Sequence, residues 1–208
     1  MYNWHIQSGD WHSPNPTRGI TLPKFDNKVD NTLPPDQLKL FIDSVESYHN
    51  RHMARVVLFA LYTGRRFSEI VNLEWDRDIT MDHRFITCRH TKNSLTLSFP
   101  LSSQARSCIP EHPSSRYIFP SPKGKHYGNT FRKTWGTFKR HLWKQGIMDI
   151  RNYRFHDLRH QYASALAGRV DIYILQRLLG HSDIKLTMRY AHLADSRLQD
   201  AVEEVSIS

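Results

Sequence analysis

A chain of 208 residues is long enough for one sizeable hydrophobic core, or for one domain with an extended arm, and its 39% hydrophobic and 24% charged residues match an ordinary globular protein. The longest uninterrupted apolar run, residues 56–62, is far too short to span a bilayer, and the N-terminus lacks the basic, apolar, small-residue order of a secretion signal, so a cytoplasmic protein with no membrane partner is expected. The formal net charge of +9 is unevenly placed: residues 123–155 carry nine lysines and arginines against Asp149 alone, a local +8 that suits a polyanion, because each cation seated on a phosphate releases condensed counterions. A solvated basic face is the plain alternative. The two cysteines, Cys88 and Cys108, form no CxxC pair and read as buried thiols without a function.

Residues 1–32 are rich in Pro, Asn, Asp, Thr and Gly and have no sustained period, so they read as an extended arm or interdomain linker ahead of a domain over residues 33–208. Pro34, Pro35 and Asp36 open a helix whose apolar side is Leu38, Leu40, Phe41 and Val45. A second helix over residues 53–62 is nearly all apolar and therefore central, and Gly64 ends it. A short helix over residues 66–73 follows. Residues 76–80, 84–88 and 95–99 read as three short strands of an antiparallel sheet packed to one side of a helical body. Beyond Pro120, Phe131, Trp135, Phe138 and Leu142 recur at helical spacing as a core stripe, with Arg132, Lys133, Arg140 and Lys144 largely off it. Three more helices are expected over residues 155–166, 172–179 and 183–192. The expected class is mainly α with a small antiparallel β-sheet, that is α+β.

Four segments hold residues suited to attacking a phosphodiester. In Thr63-Gly64-Arg65-Arg66-Phe67-Ser68-Glu69, Arg66 starts a helix directly after a glycine turn, where a guanidinium can grip a phosphate bidentately, and Glu69 is placed to fix its rotamer. Lys92 stands in the turn between two strands and can serve as a mobile proton donor. In His156-Asp157-Leu158-Arg159-His160, a helix gathers Phe155, Leu158, Tyr162 and Leu166 into a buried stripe and sets His156, Arg159, His160 and Ala163 on another face. In the fourth segment Gly180 ends one helix and Ser182 can cap the next, holding His181 in a tight turn, while Tyr190 lies about two turns into the following helix. Read singly, each is an ordinary feature: a surface ion pair, a solvated lysine, a helical tyrosine at a core edge. His156 and His160 also have the spacing of the HExxH zinc motif, but Asp157 stands at the glutamate position, no clear third ligand offers itself, and Arg159 would set a cation beside the metal.

Taken together and in this order, the TGRRFSE segment, the strand-turn lysine, HDLRH, LLGHSD and MRYAHL resemble the catalytic domain of tyrosine recombinases, the lambda-type integrases and their relatives, from about residue 33 to the C-terminus. The short step from His181 to Tyr190, and Pro100 eight residues after Lys92, fit the same pattern. The resemblance implies an enzyme, a DNA strand transferase that needs no cofactor. Tyr190 would be the nucleophile, and Arg66 and Arg159 would hold the non-bridging oxygens of the scissile phosphate. His156 would handle the Tyr190 proton, Lys92 would protonate the departing 5′ oxygen, and His181 would donate to the phosphate. Glu69 and His160 would support this set. The chemistry agrees, since phosphoryl transfer is stabilised chiefly by prearranged cations and a phenol needs them to become a nucleophile at neutral pH. Double-stranded DNA is the implied partner, with Lys123, Lys125, Arg132, Lys133 and Arg140 as supporting contacts, in a homo-tetramer on DNA and a monomer off it. A type IB topoisomerase-like strand transferase, a non-catalytic DNA-binding protein and a zinc hydrolase are the competing readings.

Family members carry an N-terminal helical domain that clamps the other face of the DNA. Residues 1–30 are too short for one and resemble the linker before the catalytic domain, so the chain is expected either to begin within such a linker or to be a shortened form. The 208-residue chain should therefore cleave DNA detectably in a denaturing gel assay yet complete little strand exchange, and robust recombination by this chain alone would contradict that expectation.

Overall fold

The computed structural model describes residues 31–89, 96–111, 113–128 and 130–193. Most of the expected arm, and Lys92, lie outside the described residues. Helix α1 (Pro35–Glu46) begins with Pro35 at its first position, where the missing N–H is no loss. Phe41 and Val45 face inward; Leu40, expected on the same side, is 52% exposed. Helix α2 (Arg51–Thr63) starts on Asn50, whose side chain accepts from Met53 N–H at 3.1 Å, and nine of its residues are buried. It is the central helix, and α1 packs against it.

Short helices α3 (Phe67–Val71) and α4 (Trp75–Asp78) follow. The first expected strand is therefore a helical turn: Glu74 and Arg77 fold the segment around Asp78, which accepts from Glu74 N–H and from the Arg77 and Arg89 guanidiniums, and only Ile79 bridges to Ile86. Strands β1 (Phe85–Cys88) and β2 (Leu97–Pro100) pair antiparallel, Ile86 opposite Phe99 and Cys88 opposite Leu97, placing Ile86, Cys88 and Phe99 in the core. Burial pushes both the Cys88 and Cys108 thiols up to about 12, so they stay protonated and inert.

After α5 (Ser103–Ser107), helix α6 (Thr130–Lys144) turns Phe131, Trp135, Phe138 and Leu142 inward as its spacing predicts, Phe138 meeting Phe41 and Tyr48 edge-on. A 3₁₀ turn (Met148–Arg151) leads to α7 (Asp157–Leu166), then α8 (Ile172–Leu179), α9 (Lys185–Met188) and a 3₁₀ turn (Ala191–Leu193).

Helix α7 departs from the amphipathic pattern expected of it. Asp157, Leu158, Arg159, His160, Gln161 and Ala163 are all buried, whereas Phe155, Tyr162 and Leu166 are only half-buried. The reason is that α7 runs between two cores. Leu158 belongs to the main one, and Ala163 joins a small second one with Leu175, Leu179 and Tyr190, edged by Tyr162 and Leu166. Its far side is also fastened, because Gln161 accepts from Leu33 N–H at 2.7 Å and donates back to Leu33 O at 3.4 Å.

The two glycines with opposite surroundings give opposite expectations. Gly64 has φ +64°, and a Cβ there would sit 2.5 Å from Tyr162 Cδ1. Gly136, inside α6, has nothing within 4 Å of such an atom. Gly64→Ala should lower unfolding free energy by about 1–3 kcal/mol, with Gly64→Ala/Tyr162→Leu recovering part of it, while Gly136→Ala should raise it by about 0.5–1 kcal/mol; urea unfolding curves read all three.

Candidate active site

Gly64 ends α2 in the left-handed conformation, its N–H bonded to Ala60 O. The chain leaves this turn extended at Arg66, which caps α3. Glu69, buried in the first turn of α3, binds Arg66 twice: Oε2 accepts from the backbone N–H at 3.1 Å and Oε1 from Nη1 at 2.7 Å. The expected pair is present, and the backbone bond adds that the carboxylate also satisfies an orphan N–H of the helix start.

Helix α7 supplies the next group. Asp157 is fully buried and accepts from Arg154 N–H at 2.7 Å and from the Arg154 guanidinium at 2.9 Å, which anchors the start of the helix. Two residues along, Arg159 Nη1 donates to Gly64 O at 2.9 Å, joining the two phosphate-binding candidates through one backbone carbonyl. Its Nη2 is buried and has no hydrogen-bond partner. His156 and His160 stand edge-to-face with ring centroids 5.2 Å apart.

The last group differs in detail from expectation. Gly180 ends α8 at φ +65°, but it is Asp183, not Ser182, whose side chain accepts from the next helix start, at Lys185 N–H. Helix α9 is a single turn, and Tyr190 follows it instead of lying two turns inside. Its N–H bonds Thr187 O, and Leu193 N–H bonds Tyr190 O, the tighter i→i−3 pattern of a 3₁₀ path. This path packs the Tyr190 ring into the second core at 3% exposure and brings its Oη to 2.5 Å from His160 Nδ1. The imidazole at the phenol is thus His160, expected to be a supporting residue, and not His156. His181 Nδ1 lies 2.8 Å from the hydroxyl of the buried Thr187.

Arg66, His156, Arg159, His160, His181 and Tyr190 all line one cleft of about 1040 Å³, with β2 forming part of its wall. Arg177 and Arg189 line it too, and none of its described lining residues is Asp or Glu. The excess of positive charge shows in the titration of its members. Burial, then repulsion from Arg66 and Arg65, pulls Arg159 down to about 9. Partial burial, then His160, Arg159 and Arg66, pushes His156 down to about 4, and the same kind of surroundings hold His181 at about 3. Both imidazoles are neutral at physiological pH.

Lys123, Lys125, Arg132, Lys133 and Arg140 are exposed on the turn before α6 and on α6 itself, apart from the cleft lining. Among the described residues no three His, Cys, Asp or Glu side chains are grouped to hold a metal ion. Two contributors escaped the sequence reading. Arg65 is buried beneath the site, and the arginine doublet after the glycine was its one visible sign. Thr187 orients His181, with no sign at all in its spacing.

Residues 31–197 match the phage integrase family. The integrase of Escherichia phage 186 is 30% identical over 204 residues, covering 98% of this chain and 56% of the relative. The tyrosine recombinase XerC of Caldanaerobacter subterraneus subsp. tengcongensis is 29% identical over 217 residues, covering all of this chain and 60% of the relative. The chain therefore spans little more than half the length of these relatives. Among solved structures, the catalytic domain of bacteriophage HP1 integrase superposes with a TM-score of 0.59 at 24% identity, over 84% of this chain and 95% of that one. The XerA recombinase superposes with a TM-score of 0.65 at 22% identity, over 98% and 72%. These structures share the fold, and the match over residues 31–197 takes in every described site residue: this chain belongs to the phage integrase family.

Proposed function

We propose that this chain cleaves and rejoins double-stranded DNA at specific sites through a covalent 3′-phosphotyrosine on Tyr190. The observation that carries the proposal is the convergence of two arginines, three histidines and a tyrosine from three separate segments on one cleft with no acid among its described lining residues. Arg66, fixed by Glu69, and the unpartnered Nη2 of Arg159 hold the non-bridging phosphate oxygens. Tyr190 Oη attacks phosphorus, a new P–O bond forms, and the bond to the 5′ oxygen breaks. The phenol proton passes to His160 Nδ1, 2.5 Å from Tyr190 Oη, and the 5′ oxygen takes a proton from Lys92. Reversal of these steps by another 5′ hydroxyl rejoins the strand. Stabilisation falls chiefly to the fixed cations, which match the charge developing on the equatorial oxygens.

The exposed cations Lys123, Lys125, Arg132, Lys133 and Arg140 carry the flanking duplex backbone, and four copies act together on paired sites in the cytoplasm. The relatives are named integrases and recombinases, which supports strand exchange over the topoisomerase-like alternative. In that alternative the chain would relax supercoils as a monomer without a partner duplex.

Incubation with a nicked duplex drawn from the DNA beside its own gene, followed by a denaturing gel, tests the chemistry. Wild type should leave a covalent protein–DNA band that Tyr190→Phe lacks, and Arg159→Lys should slow its formation by about 10²–10³-fold. A band of undiminished strength with Tyr190→Phe would assign the attack to another group.

The depressed imidazoles give a second test. A phosphate in the cleft favours their charged forms, raising both values above those of the free protein, about 4 and about 3. Between the free and bound values the complex holds more protons than its separated parts, so DNA affinity should rise as pH falls from about 6 toward about 4 at constant salt. Measured by fluorescence anisotropy with Tyr190→Phe as the parent, the slope should flatten when His156→Gln and His181→Gln are added. Equal slopes would remove the two imidazoles from the phosphate site.

A further inference from the structure

We propose that Arg65 is a positioning residue for strand cleavage: its buried guanidinium holds the His181 turn in register with Arg66, and so acts on the phosphate through His181. This rests on the strand-transfer reading above. Arg65 and Arg66 are adjacent in sequence and opposite in use. Arg66 lines the cleft, whereas Arg65 turns inward and its side chain is 1% exposed.

Inside, the guanidinium spans elements that are far apart along the chain. Nε donates to Thr63 O at 3.4 Å, at the end of α2. Nη2 donates to Leu178 O in the last turn of α8. Nη1 lies 3.9 Å from Glu69 Oε2, so one carboxylate serves both arginines through its two oxygens. The plane rests over the Phe99 ring of β2, with Cζ 3.5 Å from the centroid.

The Leu178 bond matters because the last carbonyls of a helix have no partner within it. Gly180 N–H already returns to Arg177 O, and His181 N–H to Gln176 O. Arg65 accordingly binds the carbonyl three residues before His181. Packing agrees: a Cβ on Gly180 would lie 3.2 Å from Phe99 Cζ and 3.5 Å from Arg65 Nη1, so the glycine turn rests directly on the Arg65–Phe99 pair. The floor of the His181 turn is thus this one stacked cation, tied at its other end to the turn that presents Arg66.

A lysine would keep the charge but reach one carbonyl at a time, without the planar fork. Purified Arg65→Lys should therefore keep DNA affinity within about threefold of wild type, while single-turnover covalent cleavage of the nicked duplex slows by about tenfold or more. The deciding measurement repeats the substitution in the His181→Gln background, where the further loss should shrink to under about threefold, because the residue through which Arg65 acts is already gone. An undiminished loss in that background would overturn the inference, since a general structural role or a direct charge effect would persist there. Should circular dichroism show Arg65→Lys unfolded, Phe99→Leu, which removes the surface under the guanidinium, is taken through the same cycle and should give a smaller loss that also vanishes with His181→Gln. If wild type itself forms no adduct, the strand-transfer reading fails and this inference with it; if wild type cleaves and the two losses multiply, only this inference fails.

Discussion

Crowding of positive charge around one cleft is the constraint on which this molecule depends. Burial, and then the neighbouring Arg66 and Arg65, lower the affinity of Arg159 for its proton, and the cleft that Arg66 and Arg159 line has no acid among its described residues. Like charges roughly 6 Å apart repel by about 3 kcal/mol at the effective dielectric of a protein. That repulsion, unrelieved, would push the groups apart or into solvent. Glu69 relieves part of it by placing one oxygen on each of two guanidiniums, and the Gly64 and Leu178 carbonyls take further donors. What is left over is positive charge lining the cleft and the buried Nη2 of Arg159, which has no hydrogen-bond partner. A site already arranged for the charge that a transition state develops needs no reorganisation when it arrives.

Holding such groups in place requires a scaffold that does not yield, and the position of α7 supplies it. A helix packed on one side only could tilt to relax the repulsion. This one has the main aromatic core at Leu158, the second core at Ala163, and Leu33 bonded to Gln161. Its N-terminal end is further set by the buried Asp157 carboxylate on Arg154. Burial of the polar residues Arg159, His160 and Gln161 is tolerable because each has a hydrogen-bond partner, in Gly64 O, Tyr190 Oη and the Leu33 backbone. The second core is small, and Tyr190 is one of its members, so the ring that carries the proposed nucleophile is also a packing residue.

How much of this was legible in the sequence follows from which interactions are local. The Gly64 turn, the Arg66–Glu69 pair and the α6 stripe depend on residues within a few positions of one another, and each is found where spacing placed it. The extents of α2 and α8 were equally plain, because an apolar run and a terminal glycine are local signals. Failures came where distant partners decide. Residues 76–80 have a strand-like look but coil because Asp78 gathers Arg77, Arg89 and Glu74 N–H. The two-sided burial of α7 cannot be read from a period, since the second core is assembled from residues beyond 162. Tyr190 left its expected helix because its ring is drawn into that core and its chain tightens to reach it.

The histidines show the same limit and explain how the site divides its labour. The family resemblance gave the tyrosine's proton to His156, yet residues four apart on one helix point the same way, and only the path of the chain after α9 decides which meets the phenol. His160 does, through Nδ1, so as proton acceptor it must carry its own hydrogen on Nε2. His181 pairs with a hydroxyl in the same way, its Nδ1 2.8 Å from Thr187 Oγ1. Where that Nδ1 accepts, the ring hydrogen sits on Nε2, which leaves the N–H to reach the cleft. A neutral imidazole held in this tautomer can donate to an anion without adding a further full charge to an already crowded cluster. Burial and neighbouring guanidiniums keep His181 neutral, so the cations of the cleft also set the form in which this donor waits.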